Sequence, residues 1–160
     1  MRDLRHRLLD LRKLKFEIRD SMRYDDVGDY FDNTIVAYDF KDDVITNAIF
    51  LHEFVEYMLI KSAGIDPSLI DKFDTDESYP AKYPHEYELY GKFHETANMV
   101  ERQFIENLGL NWDEYDKVIN TAEVRIAVDD ISEKFNRRQL DEASLTKAMG
   151  VVKDILEKNK

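Results

Sequence analysis

The stretch LHEFVEY at positions 51–57 places one histidine and two glutamates among bulky apolar residues. If this stretch is helical, His52 and Glu56 lie one turn apart and project from the same face. An imidazole nitrogen and a carboxylate oxygen in that arrangement can bind one divalent metal ion. We therefore interpret His52 and Glu56 as candidate metal ligands.

The same residues resemble the H-E-x-x-H signature of the zincins, with glutamate in place of the second histidine. In that signature the residues one turn apart bind the metal and the intervening glutamate activates a water. The resemblance implies that Glu53 is the catalytic base. A carboxylate in place of the second histidine hardens the site and widens the choice of ion, so Mn²⁺ and Fe²⁺ are alternatives to Zn²⁺, the ion that we expect.

A second histidine and glutamate, His94 and Glu101, fall on the apolar face of a later helix predicted over residues 84–108. Because an unpaired carboxylate in an apolar interior costs several kcal/mol, these groups should meet those of the first helix. His94 is the predicted third ligand. Glu101 lies roughly 10 Å from His94 along the helix axis. Its preferred role is therefore to orient a ligand histidine, and direct binding of the metal is the alternative role.

The same four groups could instead form a polar network between the two helices without a metal. Tyrosine hydroxyls, Arg23 or water would then satisfy the buried histidines and glutamates. Both interpretations place the four side chains together, and they differ in whether an ion joins them.

Two segments near the N-terminus have the pattern of strands. Leu14, Phe16 and Ile18 alternate with charged residues, and TIVAYDF at 34–40 is rich in β-branched and aromatic residues. The segment between them is dense in aspartate and is interpreted as a turn region. We expect the two strands to form an antiparallel pair.

The rest of the chain is predicted to be helical apart from one long loop. The first helix should begin at Asp42 or Asp43 and end near Gly64. Residues 65–85, with three prolines, are expected to form a loop that covers the site. Amphipathic patterns predict further helices over 84–108, 113–136 and 141–157.

These elements predict a single α+β domain over residues 1–160 that is predominantly helical. A small antiparallel sheet occupies 12–40, the site-bearing helices and covering loop occupy 43–108, and the C-terminal helices occupy 113–157. The sheet should pack on the two long helices.

Composition narrows the classes of function. The chain has 23 basic and 34 acidic residues and a net charge of −11, which disfavours a nucleic-acid partner. It has no cysteine, so a metal must be held by histidine and carboxylate. The N-terminus lacks the apolar run of a signal peptide, and no segment has the length of a membrane span. We expect a cytoplasmic protein.

Five strings in this order resemble a family of small uncharacterised proteins encoded in bacteriophage and prophage genomes: RYDDVGDYF, HEFVEYMLIKSAGI, DKFD, HETANMVE and LGLNWDEY. The match spans roughly residues 22–115. It implies that one pattern contains His52, Glu53, Glu56, His94 and Glu101. If the chain is encoded by a phage, the protein is expected in the cytoplasm of the host cell. Two functions are expected from different classes: a metal-dependent hydrolase, or a non-catalytic accessory protein that binds a protein or peptide partner.

Overall fold

The computed structural model describes residues 9–136 and, beyond them, positions 146, 149, 150, 153 and 157. Over the described residues the fold is α+β and predominantly helical, as predicted. The helix predicted over 141–157 falls largely outside the described residues. The division of the whole chain into one domain therefore stays a prediction.

Three short strands form the sheet: β1 (Lys15–Arg19), β2 (Gly28–Phe31) and β3 (Thr34–Tyr38), in the order β1-β3-β2. The predicted antiparallel pairing of the first and last strands is wrong, because β1 and β3 run parallel. The antiparallel partner of β3 is β2, which lies in the segment interpreted as a turn. Asp32 and Asn33 join these two strands with φ values of 45° and 59°, as two-residue hairpin turns require.

Helix α1 (Asp43–Ala63) has the ends that the sequence predicted. The Asp42 side chain caps its first turn by accepting hydrogen bonds from the amides of Val44 and Ile45 at 2.9 and 3.1 Å. Gly64 ends it in the left-handed region at φ 76°, where a side chain would be strained. These caps fix the register of α1 and hence the direction in which its histidine points.

The expected loop over 65–85 is wrong, because it contains helices α2 (Pro67–Thr75) and α3 (Tyr79–Lys82). Asp66 caps α2 by accepting a hydrogen bond from the Ser68 amide at 2.9 Å, and Pro67 occupies the first turn without losing a helical bond. Ile70 and Phe73 are one turn apart and buried. Each of the three prolines that suggested a loop therefore lies in the first turn of a helix.

Helices α4 (Pro84–Asn107) and α5 (Trp112–Asn136) follow the predicted ranges closely. Helix α1 packs on the sheet and on α4. Ile35 and Ile60 are fully buried in the core between α1 and the sheet, and Ile105 is fully buried beneath α5. Among the helices of the described residues, none combines the length and the apolarity needed to cross a membrane. The packing leaves the midpoints of α1 and α4 side by side.

Candidate metal centre

His52, Glu56 and His94 converge where α1 and α4 touch. One ligand atom from each lies within 4.8 Å of the other two, the one such group among the described residues. The Oε2 atom of Glu56 is 2.8 Å from His94 Nδ1 and 3.8 Å from His52 Nε2. Ligand atoms around a zinc ion with bonds near 2.0–2.2 Å are roughly 3–3.5 Å apart. Small movements of these side chains would therefore admit an ion.

Glu101 lies behind His52 and outside the group of three. Its Oε2 atom is 2.8 Å from His52 Nδ1, which leaves His52 Nε2 facing Glu56. The hydroxyl of Tyr115 donates a hydrogen bond to the other oxygen of Glu101. A carboxylate on the far nitrogen of a ligand histidine fixes the tautomer and the ring orientation. Glu101 has this position in the structure.

Two tyrosines that the sequence did not assign complete the polar cluster. Tyr30, on β2, donates its hydroxyl to Glu56 Oε1 at 2.8 Å, and Tyr115, on α5, contacts Glu101. Neither tyrosine shares a helix with the glutamate that it contacts, so no periodicity could have paired them. Arg23, considered as a partner of the cluster, instead binds Asp29 at 2.6 and 2.8 Å.

Glu53 is buried. The residue is only 9% exposed because β2 covers that side of α1. A Cβ atom added to Gly28 of β2 would lie 2.2 Å from Glu53 Oε1, so glycine alone permits this approach. Glu53 lines a cleft over the candidate ligands.

Burial and hydrogen bonding act in opposite directions on the charges of the centre. Burial favours the neutral forms, but hydrogen bonds from His52, His94 and Tyr30 lower the pKa of Glu56 to about 2. Burial likewise lowers the pKa of His52, but the carboxylates of Glu101 and Glu56 outweigh it and raise that pKa to about 11. Burial raises the pKa of Glu53 well above its usual value. Without a metal, His52 is therefore a cation between two carboxylates.

A cleft of about 660 Å³ opens over the centre, and we call it the acidic cleft. Its walls come from the loop before β2, from α2, from α4 and from α5. His94 stands at its edge with 48% of its side chain exposed. The three candidate ligands line this cleft together with Glu53, so a molecule inside it could contact an ion held by them.

We expect the metal-free chain to be most stable near pH 5 and to lose stability toward pH 8. Burial, followed by repulsion from Asp26, raises the pKa of Asp74 to about 6 and that of Glu123 to about 7. A raised carboxyl pKa stabilises the fold below the unfolded value, near 4, and this contribution is lost as the pH rises through the folded value. The raised pKa of His52 also makes the fold less stable as the pH rises, but over a higher pH range. The lowered pKa of Glu56 acts in the opposite sense: it stabilises the fold fully above about pH 4.5, and this stabilisation is lost toward pH 2.

Thermal midpoints measured in chelator between pH 5 and pH 8 test whether stability falls as the pH rises. The variant Glu123→Gln should show a smaller decline between pH 5 and pH 8, because it removes one of the responsible carboxyls. A midpoint that rises steadily from pH 5 to pH 8 in the metal-free chain would contradict the expectation.

We expect Gly28→Ala to lower the free energy of unfolding by about 1–3 kcal/mol, the usual cost of overpacking. The new methyl group would displace the Glu53 carboxyl. Gly91→Ala is the matched control, since nothing lies within 4 Å of a Cβ there and alanine favours a helix by about 0.5–1 kcal/mol. Denaturant unfolding of both variants, and of Gly28→Ala combined with Glu53→Ala, provides the measurement. If Gly28→Ala costs as much in the Glu53→Ala background as it does in the wild type, Glu53 is not the group that is displaced.

Comparison of the chain with protein-family models, with curated proteins and with solved structures finds no match. The chemistry of the centre must therefore be inferred from its own geometry.

Proposed function

We propose that the chain is a zincin-like metal-dependent hydrolase that binds one divalent ion through His52, Glu56 and His94. Zn²⁺ is the expected ion, and Mn²⁺ or Fe²⁺ also suit a donor set of two imidazoles and one carboxylate. The observation that carries the proposal is the convergence of these three donors within 4.8 Å on the wall of an open cleft.

The number of donors favours catalysis over a purely structural site. Structural zinc sites are closed by four protein ligands, whereas catalytic sites use three and leave a position for water or substrate. Among the described residues, three donors meet, and Glu101 is taken up by His52. The remaining position would face the cleft.

Glu53 is the proposed general base. It lines the same cleft, and burial raises its pKa, which favours the protonated form that a general base reaches when it accepts a proton. A bound ion would acidify a water. Glu53 would take one proton from a water whose oxygen attacks a carbonyl carbon, and the C=O π electrons would move to the carbonyl oxygen. The C=O bond would re-form as the bond to the leaving group breaks, and Glu53 would return the proton to that group.

A second candidate function is a non-catalytic accessory protein, and one observation favours it. Glu56 and Glu101 are already held by His52, His94, Tyr30 and Tyr115, so the cluster could join α1 to α4 with no ion. Its acidic surface would then bind a protein or peptide partner. Under either proposal, the chain is proposed to act in the cytoplasm, that of the host cell if a phage carries the gene.

Hydrolysis of a panel of peptides and esters by the full chain, prepared without an affinity tag, separates the two candidates. Metal-free protein and protein loaded with Zn²⁺, Mn²⁺ or Fe²⁺ are compared. We expect turnover that appears on loading and disappears in chelator. A chain that retains metal but is inactive across the panel would favour the accessory protein, and one that retains no metal would refute the proposed centre.

A further inference from the structure

Strand β1 has a free edge. It lies at the end of the strand order β1-β3-β2, and among the described residues it pairs with β3 alone. Backbone hydrogen bonds at the Lys15 amide and the Arg19 carbonyl, of 2.8 and 2.7 Å, both run to the β3 side. Because every second residue of a strand faces the same neighbour, the amides and carbonyls of Phe16 and Ile18 point to the opposite, free edge.

The side chains at this edge form an exposed apolar surface. Phe16 is 55% exposed and Ile18 is 56% exposed. The Phe16 ring meets the Phe50 ring of α1 edge-on, with 5.3 Å between the centroids, so Phe16 lies on the face of the sheet that carries α1. Ile18, two residues on, shares that face. An edge strand with unpaired backbone groups beside exposed apolar side chains is a template for pairing with another chain.

The opposite face of β1 carries charges of both signs. Both hydrogen bonds from the Arg19 guanidinium reach the Oε2 atom of Glu17. Lys15 is exposed and forms no ion pair with another described residue. Each copy of β1 therefore offers one ammonium group and one carboxylate that can accept a further cation.

These charges match when two copies of β1 pair antiparallel about a two-fold axis at Phe16. Lys15 of each copy then lies opposite Glu17 of the second copy, so that symmetry gives two pairs of opposite charge. On the other face Phe16 lies opposite Phe16, and Ile18 lies opposite Leu14. The outward backbone groups of Phe16 and Ile18 are those that this register pairs.

Other registers fit less well. A change of register must be by an even number of residues, because an odd change would place apolar side chains opposite charged ones. A two-fold axis at Lys15 sets two ammonium groups against each other, and an axis at Glu17 does the same for two carboxylates. An axis at Ile18 sets Phe16 against Asp20. The register centred on Phe16 alone joins opposite charges on one face and apolar side chains on the other.

We propose that two copies of the chain associate through β1, antiparallel and centred on Phe16, to form a dimer. Its sheet is continuous across the two-fold axis and contains six strands, three from each copy. Association removes Phe16 and Ile18 from water and satisfies the outward backbone groups of β1. No residue of β1 lines the acidic cleft, so the dimer is independent of the metal centre.

Sedimentation equilibrium of the full, tag-free chain tests the proposal, and the average mass should rise from one chain to two with concentration. Ile18→Pro removes an outward amide without removing a bond to β3, a change that edge strands tolerate. It should weaken association by at least about tenfold, because the two-fold axis removes the hydrogen bond twice. Thermal midpoints check that each variant folds.

Two charge variants test the register. Lys15→Glu and Glu17→Lys each set like charges opposite one another, so each should weaken self-association by about tenfold. An equimolar mixture of the two variants should associate as the wild type does, because every pair across the axis is again of opposite charge. Lys117→Glu, which changes an exposed lysine of α5, is the control for net charge and should leave association unchanged.

Three results would overturn the proposal. The first is the mass of one chain at the highest soluble concentration of the wild type. The second is a dimer that Ile18→Pro and the two charge variants leave intact, since it would use another surface. The third is a mixture of the two charge variants that associates no better than either variant alone.

Discussion

Glu56→Gln is expected to weaken the binding of divalent metal by more than about 100-fold, beyond the 10–100-fold that loss of an orienting partner costs. Glu56 Oε2 lies between the two candidate histidine ligands, 2.8 Å from His94 Nδ1 and 3.8 Å from His52 Nε2. An amide oxygen binds divalent metals far more weakly than a carboxylate, but it can still accept the hydrogen bond of Tyr30. Competition titration with a chelating dye gives the affinity.

Two further variants show whether the loss of metal affinity distinguishes a ligand from a residue that orients a ligand. His94→Ala should cause a loss as large as that of Glu56→Gln, and its half-exposed side chain makes this variant the gentler test of folding. Glu101→Gln should cost only about 10–100-fold, because Glu101 contacts His52 rather than the ion. If Glu101→Gln abolishes binding completely, Glu101 is itself a ligand and the assignment of roles is wrong.

Glu53→Gln should reduce hydrolysis by about 10²–10⁴-fold while leaving metal affinity close to that of the wild type. A neutral amide cannot take the proton of a water, yet it has the shape that fits against Gly28. Since burial raises the pKa of Glu53, removing its charge should not destabilise the metal-free chain. Turnover, metal content and thermal midpoint are measured side by side with the wild type.

Two outcomes would contradict this role. Activity that survives intact in Glu53→Gln would exclude Glu53 as the base. Loss of metal together with activity would show that Glu53 helps to hold the ion, so its role could not be that of a base alone.

Local signals in the sequence predicted the elements that carry the candidate ligands. Asp42 and Gly64 mark the ends of α1 through side-chain and backbone preferences that act within one turn. The spacing of His52 and Glu56 then follows from the helical repeat alone. Similar reasoning placed His94 on the inner face of α4, opposite them.

Long-range contacts explain what the sequence did not predict. Strand β2 lies between β1 and β3 in the chain and forms a hairpin with β3, so β1 and β3 run parallel. The turn of this hairpin, at Asp32 and Asn33, lies in an aspartate-rich segment that was not predicted to contain a strand. That hairpin also brings Tyr30 to Glu56 and Gly28 to Glu53. A helical projection describes directions on one helix, so it could not show that β2 covers the side of α1 on which Glu53 lies.

The most direct test of the metal centre is X-ray absorption at the zinc edge on the full, tag-free chain loaded with Zn²⁺. We expect one ion per chain bound by two imidazole nitrogens, carboxylate oxygen and at least one further oxygen from solvent. The imidazole signal should fall by half in His94→Ala preparations that are forced to hold zinc at high concentration. A wild-type chain that retains no zinc, or retains it without imidazole ligands, would contradict the proposed centre.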